Sequence, residues 1–538
     1  MSTCSSYHCS CAPVHRPTSF PTRLLEITTT GVRLILTNIN PPTGPYAALS
    51  YCWGPPPYDF LRLTSTSLQR IRSGLSEYEL PIAFREAIDF AREIGIGYIW
   101  IDSLCIIQEG RGSTEDWLRE SSNMANVYEN CAVCLALYSA ANPQESVLSR
   151  PEPDFAIPFE IDTHGLFDDA VDHRCTIISA EYFDHAIYDQ HLFSRAWAYQ
   201  ERILSPRVLG FGVGEVFWSC KELPVASESV PQGVDSASEP GQRVETASIP
   251  NALAPADLGL RWFKMVQEYS KLKLTYPEQD KLVAISAVAS RLSTKMKDRY
   301  IEGHFWNNMV LSLYWSCRFG GPYGIWTSNK NPRLYTRNFQ TGVKKRTFPS
   351  WSWASRDAPV NFIASNLRHN PQVPWNPSDI SLASVDSCIN TSFEINTDKQ
   401  SSLPSYVLEL KAFHIHGVLG YGGNSPYYEP FFEIQEPMEL SKYFTFSLPE
   451  IDAVCSISDK HSDAVFCPLV SAHPGTLVED SPQTEHILGI FVKPLQLKFR
   501  GDSLFERIGG GWMRLGEGMS WKTIEQSIGM GRHTIFLG

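Results

Sequence analysis

Apolar runs alternate with helical stripes over the first part of the chain. The run at 46–51 predicts a short strand, and Pro81 opens a helix whose apolar positions recur with helical spacing. The run at 98–107 is almost continuously apolar, which is typical of a strand covered on both faces. A helix at 113–130 and an apolar run at 132–138 follow. This order predicts an α/β fold with a mostly parallel sheet and flanking helices.

Further along the chain, the pattern continues with a short helix at 194–204 and a hairpin at 208–220. A stretch rich in Pro, Ser, Glu and Ala then indicates a linker or a disordered insert. Helical stripes and then β-like runs fill the remainder. The predicted organisation is a mobile tail at 1–20, an α/β domain at 21–222, a linker or disordered insert at 223–257, a helical region at 258–347 and a β-rich C-terminal region at 348–538.

The composition of the 538-residue chain restricts its class. With 43% hydrophobic, 12% aromatic and only 19% charged residues, the chain is not disordered as a whole. Its net charge of −12 argues against binding to DNA or RNA, because phosphate contacts require a basic surface. No apolar run is long enough to span a membrane, and the N-terminus lacks the apolar core of a secretory signal. The odd number of cysteines, 13, is typical of reduced thiols, so we expect a cytoplasmic protein.

Several cysteines and a histidine lie close together in the N-terminal tail. They are Cys4, His8, Cys9 and Cys11. A structural zinc site normally has a second ligand pair at a fixed distance along the chain, and we find no matching pair. We therefore interpret these residues as loose thiols of the tail and predict no metal site.

Four clusters of the sequence carry the most information about function. They are Tyr46–Gly54 (YAALSYCWG), Ile99–Gln108 (IWIDSLCIIQ), Ser194–Arg202 (SRAWAYQER) and Pro349–Ser355 (PSWSWAS). Together they resemble the HET (heterokaryon incompatibility) domain family of filamentous fungi. The resemblance implies a role in non-self recognition after cell fusion, followed by programmed cell death. It also implies a TIR-like, flavodoxin-like fold, and some TIR domains cleave NAD with a glutamate on a helix.

Glu120 is the candidate catalytic residue. It lies at the edge of an apolar stripe with Trp117, Met124 and Tyr128 on the helix predicted at 113–130. A carboxylate against an aromatic surface is costly unless it is paired or functional. The spacing from Trp117 to Glu120 also resembles the pattern around the TIR catalytic glutamate. The alternative is a structural ion pair at the rim of the helix, and the two interpretations have equal weight.

The candidate nucleotide-binding residues follow the first strands of the predicted sheet. Trp53 offers a stacking surface and Gly54 permits close backbone approach. Asp102 and Ser103 lie in the next apolar run, and ligands of doubly wound sheets bind beyond the carboxyl ends of strands. Asp102 and Ser103 are therefore candidates to reach a ribose or to hold a loop. The structural alternatives are a packed turn at Trp53 and a helix or turn cap at Asp102.

Arg195 is a further candidate binding residue. It shares the short helix at 194–204 with Arg202, and a guanidinium can hold a phosphate through two hydrogen bonds. The alternative is that both arginines form pairs within the protein that anchor one layer of the fold to another.

The resemblance and these candidates lead to three functional hypotheses. In the first, the protein is an incompatibility effector that hydrolyses NAD, with NAD as substrate and no cofactor required. In the second, it is a non-enzymatic signalling module that recruits a protein partner or self-associates. In the third, it is an inactive regulatory paralogue. We expect a protein partner or self-association, at most a small nucleotide as ligand, and no nucleic acid polymer.

Overall fold

The computed structural model describes residues 2–9, 11, 19–148, 153, 157–162, 174–223, 225–231, 233, 255–317, 348–362, 381, 383–390, 406–422, 429–437, 444–451, 461–472, 486–515, 520–528 and 530–538. The chain divides into two compact units, one of residues 1–252, 272–275 and 283–289 and the other of residues 253–271, 276–282 and 290–538. Each of the five predicted regions has residues outside the described ones. They are 1, 10 and 12–18 of the tail, 149–152, 154–156 and 163–173 of the α/β domain, 224, 232 and 234–254 of the linker, 318–347 of the helical region, and 363–380, 382, 391–405, 423–428, 438–443, 452–460, 473–485, 516–519 and 529 of the C-terminal region.

The first unit is an α/β unit. Its described strands are β1 (Arg23–Ile27), β2 (Gly31–Leu36), β3 (Tyr46–Ser50), β4 (Leu75–Ser76), β5 (Tyr98–Trp100), β6 (Val133–Leu137), β7 (Phe159–Asp162), β8 (Arg174–Ile177), β9 (Arg207–Phe211), β10 (Val216–Cys220) and β11 (Ala226–Ser227). Its described helices are α1 (Ser2–Tyr7), α2 (Leu68–Ser73), α3 (Ile82–Glu93), α4 (Asp102–Cys105), α5 (Ser113–Glu129) and α6 (Ala196–Leu204).

One mixed sheet organises the described part of this unit, with the strand order β11-β10-β9-β6-β3-β5-β1-β2-β4. The four central strands β9, β6, β3 and β5 are parallel, and Ala47 of β3 pairs with Ile99 on one side and Val133 on the other. The strands at both edges are antiparallel. The predicted α/β class is therefore confirmed, whereas the mostly parallel pairing applies to the centre of the sheet.

Helix α3 forms where the apolar spacing predicts it. Pro81 is its N-cap, and the residues that recur with helical spacing, Phe84, Ala87, Ile88 and Ala91, are buried. The strand predicted at 98–107 is wrong beyond Trp100. Residues Asp102–Cys105 form the single helical turn α4 instead, because a continuous apolar run does not distinguish a buried strand from a buried helical turn.

The second unit contains a large β-sheet. From residue 255 onward, the described helices are α7 (Pro255–Tyr269), α8 (Pro277–Asp280), α9 (Val283–Met296), α10 (Met309–Ser312) and α11 (Trp521–Ile528). The described strands are β12 (Tyr300–Ile301), β13 (His304–Phe305), β14 (Trp315–Cys317), β15 (Val360–Phe362), β16 (Ser384–Asn390), β17 (Tyr406–Ala412), β18 (Ile415–Gly422), β19 (Glu429–Glu436), β20 (Phe444–Ile451), β21 (His461–Ala472), β22 (His486–Phe499), β23 (Asp502–Leu515) and β24 (His533–Leu537).

The large sheet confirms the predicted β-rich C-terminal region. Its strand order is β16-β17-β24-β23-β22-β21-β18-β19, and β20 pairs with β23 outside this path. Its core includes Phe413, Phe466, Phe491 and Trp521, which are all buried. Within the part of the chain that the structure describes, no helix has both the length and the apolar composition to cross a membrane.

Buried tryptophans hold the remaining part of the second unit together. Trp262 of α7 and Trp353 both donate their indole N–H to the carbonyl oxygen of Gly303, over 3.0 and 2.8 Å. Trp315 donates in the same way to the carbonyl of Trp351 over 3.0 Å. The indole N–H groups of Trp262, Trp315 and Trp353 therefore each have an acceptor, as buried polar groups require.

Candidate functional site

A cavity of about 190 Å³ lies at the carboxyl ends of β3 and β5 in the first unit. Residues at the ends of these two parallel strands form its floor, and residues of α5 and α6 form further walls. Open α/β sheets bind ligands at this position, beyond the carboxyl ends of their strands. The lining residues are Leu49, Tyr51, Trp53, Asp102, Ile106, Gln108, Trp117, Met124, Tyr128, Arg195, Trp197 and Glu201.

Asp102 connects the ends of the two strands. The Tyr51 hydroxyl donates to Asp102 Oδ1 and the Trp53 indole donates to Asp102 Oδ2, each over 2.8 Å. The backbone N–H of Ser103 also donates to Oδ1 over 2.6 Å. Burial raises the pKa of Asp102, although the hydrogen bonds from Tyr51 and Trp53 act in the opposite direction. Asp102 thus lines the cavity, and as the first residue of α4 it also accepts a hydrogen bond from the backbone of that turn.

Glu201 is the second carboxylate of the cavity. Its Oε2 accepts a hydrogen bond of 2.5 Å from Ser50 Oγ, and the Tyr128 hydroxyl also interacts with its carboxylate. Burial is the main cause that raises the pKa of Glu201 to about 7, and the nearby Asp102 raises it further. A carboxyl group with this pKa can both accept and donate a proton near neutral pH.

Arg195 supplies positive charge to the cavity. Its guanidinium acts to lower the pKa values of both Asp102 and Glu201, and it hydrogen-bonds to the thiol of Cys52. Arg202, the other arginine considered from the sequence, stacks on Phe193, with its Cζ 4.0 Å from the ring centroid. Of the two arginines, the cavity-lining one is therefore Arg195.

Three tryptophans give the cavity its aromatic walls. Trp117 of α5 and Trp197 of α6 meet edge to face, with ring centroids 6.4 Å apart. Trp53 packs edge to face against Phe60, with centroids 5.6 Å apart. Trp117 is 37% exposed, so this wall faces solvent in part. Such rings can stack against a base while the polar groups orient a sugar.

Glu120 lies in a buried ion-pair cluster. Its Oε1 is 3.2 Å from Arg119 Nε and 4.0 Å from Arg23 Nη1. Arg23 also binds both carboxylate oxygens of Asp116, over 2.9 and 2.8 Å. The residues that line the cavity do not include Glu120. The geometry therefore matches the ion-pair interpretation, and the catalytic role of Glu120 stays a prediction.

The other two candidate residues have structural contacts. Ser103 is fully buried, and its Oγ lies 2.8 Å from the Tyr51 hydroxyl. Gly54 has a φ of +77°, and a Cβ at this position would lie 2.8 Å from Asn142 Cβ. The glycine is required there by its own backbone conformation and by this close neighbour. Nucleotide binding by Ser103 and Gly54 stays a prediction.

Comparison with known families identifies this domain. Residues 46–201 match the family described as Heterokaryon incompatibility protein (HET). Residues 46–201 form a HET domain. The match spans every residue that lines the cavity, from Leu49 to Glu201, so the cavity belongs to the HET domain. Searches of curated proteins and of solved structures gave no match to this chain.

Two residues that line the HET domain cavity, Glu201 and Tyr128, were not predicted from the sequence as site residues, and neither was Ser50, which donates a hydrogen bond to Glu201. One signal was available for Glu201, which lies four residues after Trp197 on the short helix and so shares its face. A carboxylate packed against an aromatic side chain is costly unless it is paired or functional, so Glu201 could have been a candidate. The hydroxyl groups that contact Glu201 belong to Ser50 of β3 and Tyr128 of α5. Ser50 is 151 residues away from Glu201 in the sequence, so no local pattern predicts the contact.

Proposed function

We propose that this HET domain protein is an effector of heterokaryon incompatibility and that it triggers cell death by hydrolysing NAD in the cavity. The strand order supports the proposed TIR-like relationship. When the four parallel strands β3, β5, β6 and β9 are numbered in chain order, they lie side by side as 2-1-3-4, which agrees with the first four positions of the flavodoxin-like order. Because fold alone does not determine activity, the chemistry must come from the cavity.

The observation that carries the proposal is the presence of two unlike carboxyl groups in one aromatic-walled cavity. Asp102 is held by Tyr51 and Trp53, while Glu201 is held by Ser50 and has a pKa near 7. Pairs of carboxyl groups with different environments are typical of sites that cleave bonds to a sugar carbon. The cavity volume is enough for a ring and part of a sugar, so a whole dinucleotide would extend beyond it.

In the proposed reaction, water adds to the sugar carbon that carries nicotinamide and the bond to the nicotinamide nitrogen breaks. The products are nicotinamide and ADP-ribose, and one proton is released. Glu201 takes the proton of the attacking water, and the Asp102 carboxylate, whose ionised form is favoured by the hydrogen bonds from Tyr51 and Trp53, stabilises the positive charge on the sugar. The tryptophan walls stack on the base, and Arg195 binds a phosphate.

Glu120 is the alternative candidate for the catalytic residue. Its resemblance to the TIR glutamate rests on the Trp117-to-Glu120 spacing, whereas its contacts are with Arg23 and Arg119. Glu201 has the cavity position and the pKa that a proton acceptor needs. We therefore propose Glu201 as the catalytic residue and give Glu120 a positioning role through the ion-pair cluster.

The proposal can be tested in cells that express the full chain. We expect growth arrest together with a fall in cellular NAD, and we expect Glu201→Gln to abolish both at an equal protein level. Glu115→Gln, an exposed position on α5, is the matched control and should retain both effects. Growth arrest that persists in Glu201→Gln without any fall in NAD would contradict hydrolysis and would favour the non-enzymatic signalling module.

A further inference from the structure

Three thiols and an imidazole meet beside β10 of the first unit. Cys4, His8, Cys11 and Cys220 each offer one ligand atom, and these four atoms all lie within 4.8 Å of one another. The three cysteines are buried and the histidine is half-buried. The sequence predicts no metal site because it has no second ligand pair to match the tail, whereas a single distant residue, Cys220, here joins three residues of the tail. Cys220 is more than 200 residues away and is the last residue of β10.

Local backbone geometry brings the four side chains together. Cys4 and His8 are four residues apart, at α1 and just after its end, so both point to the same side. The N–H of Cys11 then donates to the carbonyl of His8 over 3.3 Å, which turns the chain back toward the cluster. From the opposite side, the backbone N–H of Leu223 donates to Cys220 Sγ over 3.4 Å.

We propose that these four residues bind one zinc ion. Three thiolates and one imidazole are a known ligand set of tetrahedral structural zinc sites. Zn–S bonds of about 2.3 Å in a tetrahedron place neighbouring ligand atoms roughly 3.8 Å apart. His8 Nδ1 lies 3.7 Å from Cys11 Sγ and 3.3 Å from Cys220 Sγ, so only small side-chain adjustments are needed. On binding, each thiol loses its proton to solvent and the imidazole coordinates in its neutral form.

The composition of the site defines its role. Four protein ligands fill a tetrahedral coordination shell, which leaves no position for water or substrate. The site is therefore structural, and it fastens the N-terminal helix to β10, at a position outside the residues 46–201 of the HET match. Trp218 and Leu223 pack against the buried cysteines and shield them from solvent. This role does not depend on NAD hydrolysis.

The metal content of the purified full chain tests the proposal. We expect about one zinc per chain by elemental analysis, falling to background in Cys220→Ser and in Cys11→Ser. Cys9→Ser is the matched control, because Cys9 lies in the same segment but is exposed and outside the cluster. It should retain the full zinc content. Cobalt exchanged into the wild-type protein should give the intense absorption of tetrahedral thiolate coordination, which Cys220→Ser should lose.

A second measurement applies if the cysteine variants fail to fold. Removal of metal from the wild-type protein by a chelator should increase hydrogen exchange in residues 2–9, and added zinc should restore the protection. Three results would overturn the proposal: no zinc in the protein as purified under reducing conditions, zinc that is unchanged in Cys220→Ser, or a disulfide between Cys11 and Cys220 found by mass spectrometry of the protein as isolated.

Discussion

The Trp53 indole donates its N–H to Asp102 over 2.8 Å, so the aromatic ring after β3 is held by the carboxylate that follows β5. Tyr51 donates to the same carboxylate. One acidic side chain thereby positions two aromatic residues of the cavity. This contact combines the first two sequence clusters of the HET domain, which are about 50 residues apart, into one site.

The first prediction concerns Asp102→Ala. This change removes the acceptor for Tyr51, Trp53 and the backbone of Ser103. We expect the free energy of unfolding to fall by about 1–3 kcal/mol, measured by urea denaturation, because buried donors lose their partner. Asp89→Ala is the control at an exposed ion pair and should change it by at most about 0.5 kcal/mol. Equal effects of the two changes would contradict the anchoring role of Asp102.

The second prediction concerns the buried pair of Arg23 and Asp116. Arg23→Met leaves the Asp116 carboxylate buried without its main partner, so we expect a loss of about 3–5 kcal/mol in the free energy of unfolding at pH 7. Arg33→Met, at a solvent-exposed pair with Glu26, should have a much smaller effect on the same quantity, because water screens exposed ion pairs.

The pH dependence of stability gives a second readout of the same pair. Burial tends to raise the pKa of Asp116, but the hydrogen bonds from Arg23 and from the backbone N–H of Ile107, together with the charges of Arg23 and Arg119, outweigh burial and hold the pKa below the ordinary 3.8. The stabilisation is therefore present above pH 3.8 and is lost as the pH falls through the lower pKa of the folded state. We therefore expect the difference in free energy of unfolding between the wild type and Arg23→Met to shrink as the pH falls. A difference that is the same at all pH values would show that Arg23 does not cause the lowered pKa of Asp116.

The third prediction concerns the pH dependence due to Glu201. Its pKa is about 7 in the folded state against an ordinary 4.5, so the folded protein holds this proton more tightly. The contribution of Glu201 to stability is therefore present below pH 4.5 and is lost as the pH rises through 7. We expect Glu201→Gln to lack this decline. Unfolding curves of both proteins at several pH values check it, and a constant difference between them across this range would argue against a buried, protonated Glu201.

Particular residues show how much of the fold was predictable. Helix α3 was predictable because Phe84, Ala87 and Ala91 repeat with the period of a helix and are all buried. The antiparallel edges of the sheet were not, because the pairing of β1 with β5 joins residues such as Leu25 and Ile99 that are far apart in sequence. Local periodicity carries no information on such pairing.

The candidate site was also predictable only where local sequence patterns carry the information. Trp53, Asp102 and Arg195 lie in clusters that could be recognised, and all three line the cavity. Glu120 was selected from a spacing along one helix, whereas its nearest partners include Arg23, almost 100 residues away. Long-range ion pairs of this kind decide whether a carboxylate faces a cavity, and they leave no trace in local spacing.

The fourth prediction concerns Gly303 in the second unit. Its φ is +94°, and a Cβ there would lie 2.4 Å from Trp353 Nε1, the atom that donates to the Gly303 carbonyl. Gly303→Ala therefore combines backbone strain with a steric clash, and we expect it to lower the free energy of unfolding by more than about 1 kcal/mol. Gly501→Ala is the control, because its φ is +96° but nothing lies near the added Cβ. A thermal unfolding series should show the larger loss for Gly303→Ala, and equal losses would mean that the indole contact has no effect.

The most direct test of the central claim is nicotinamide release from NAD by the purified full-length protein. We expect release by the wild type and by Glu115→Gln, and a decrease of at least about 100-fold in Glu201→Gln, as for loss of a general base. Glu120→Gln should retain measurable turnover. No release by the wild type, including after enforced self-association, or full activity of Glu201→Gln, would contradict the account.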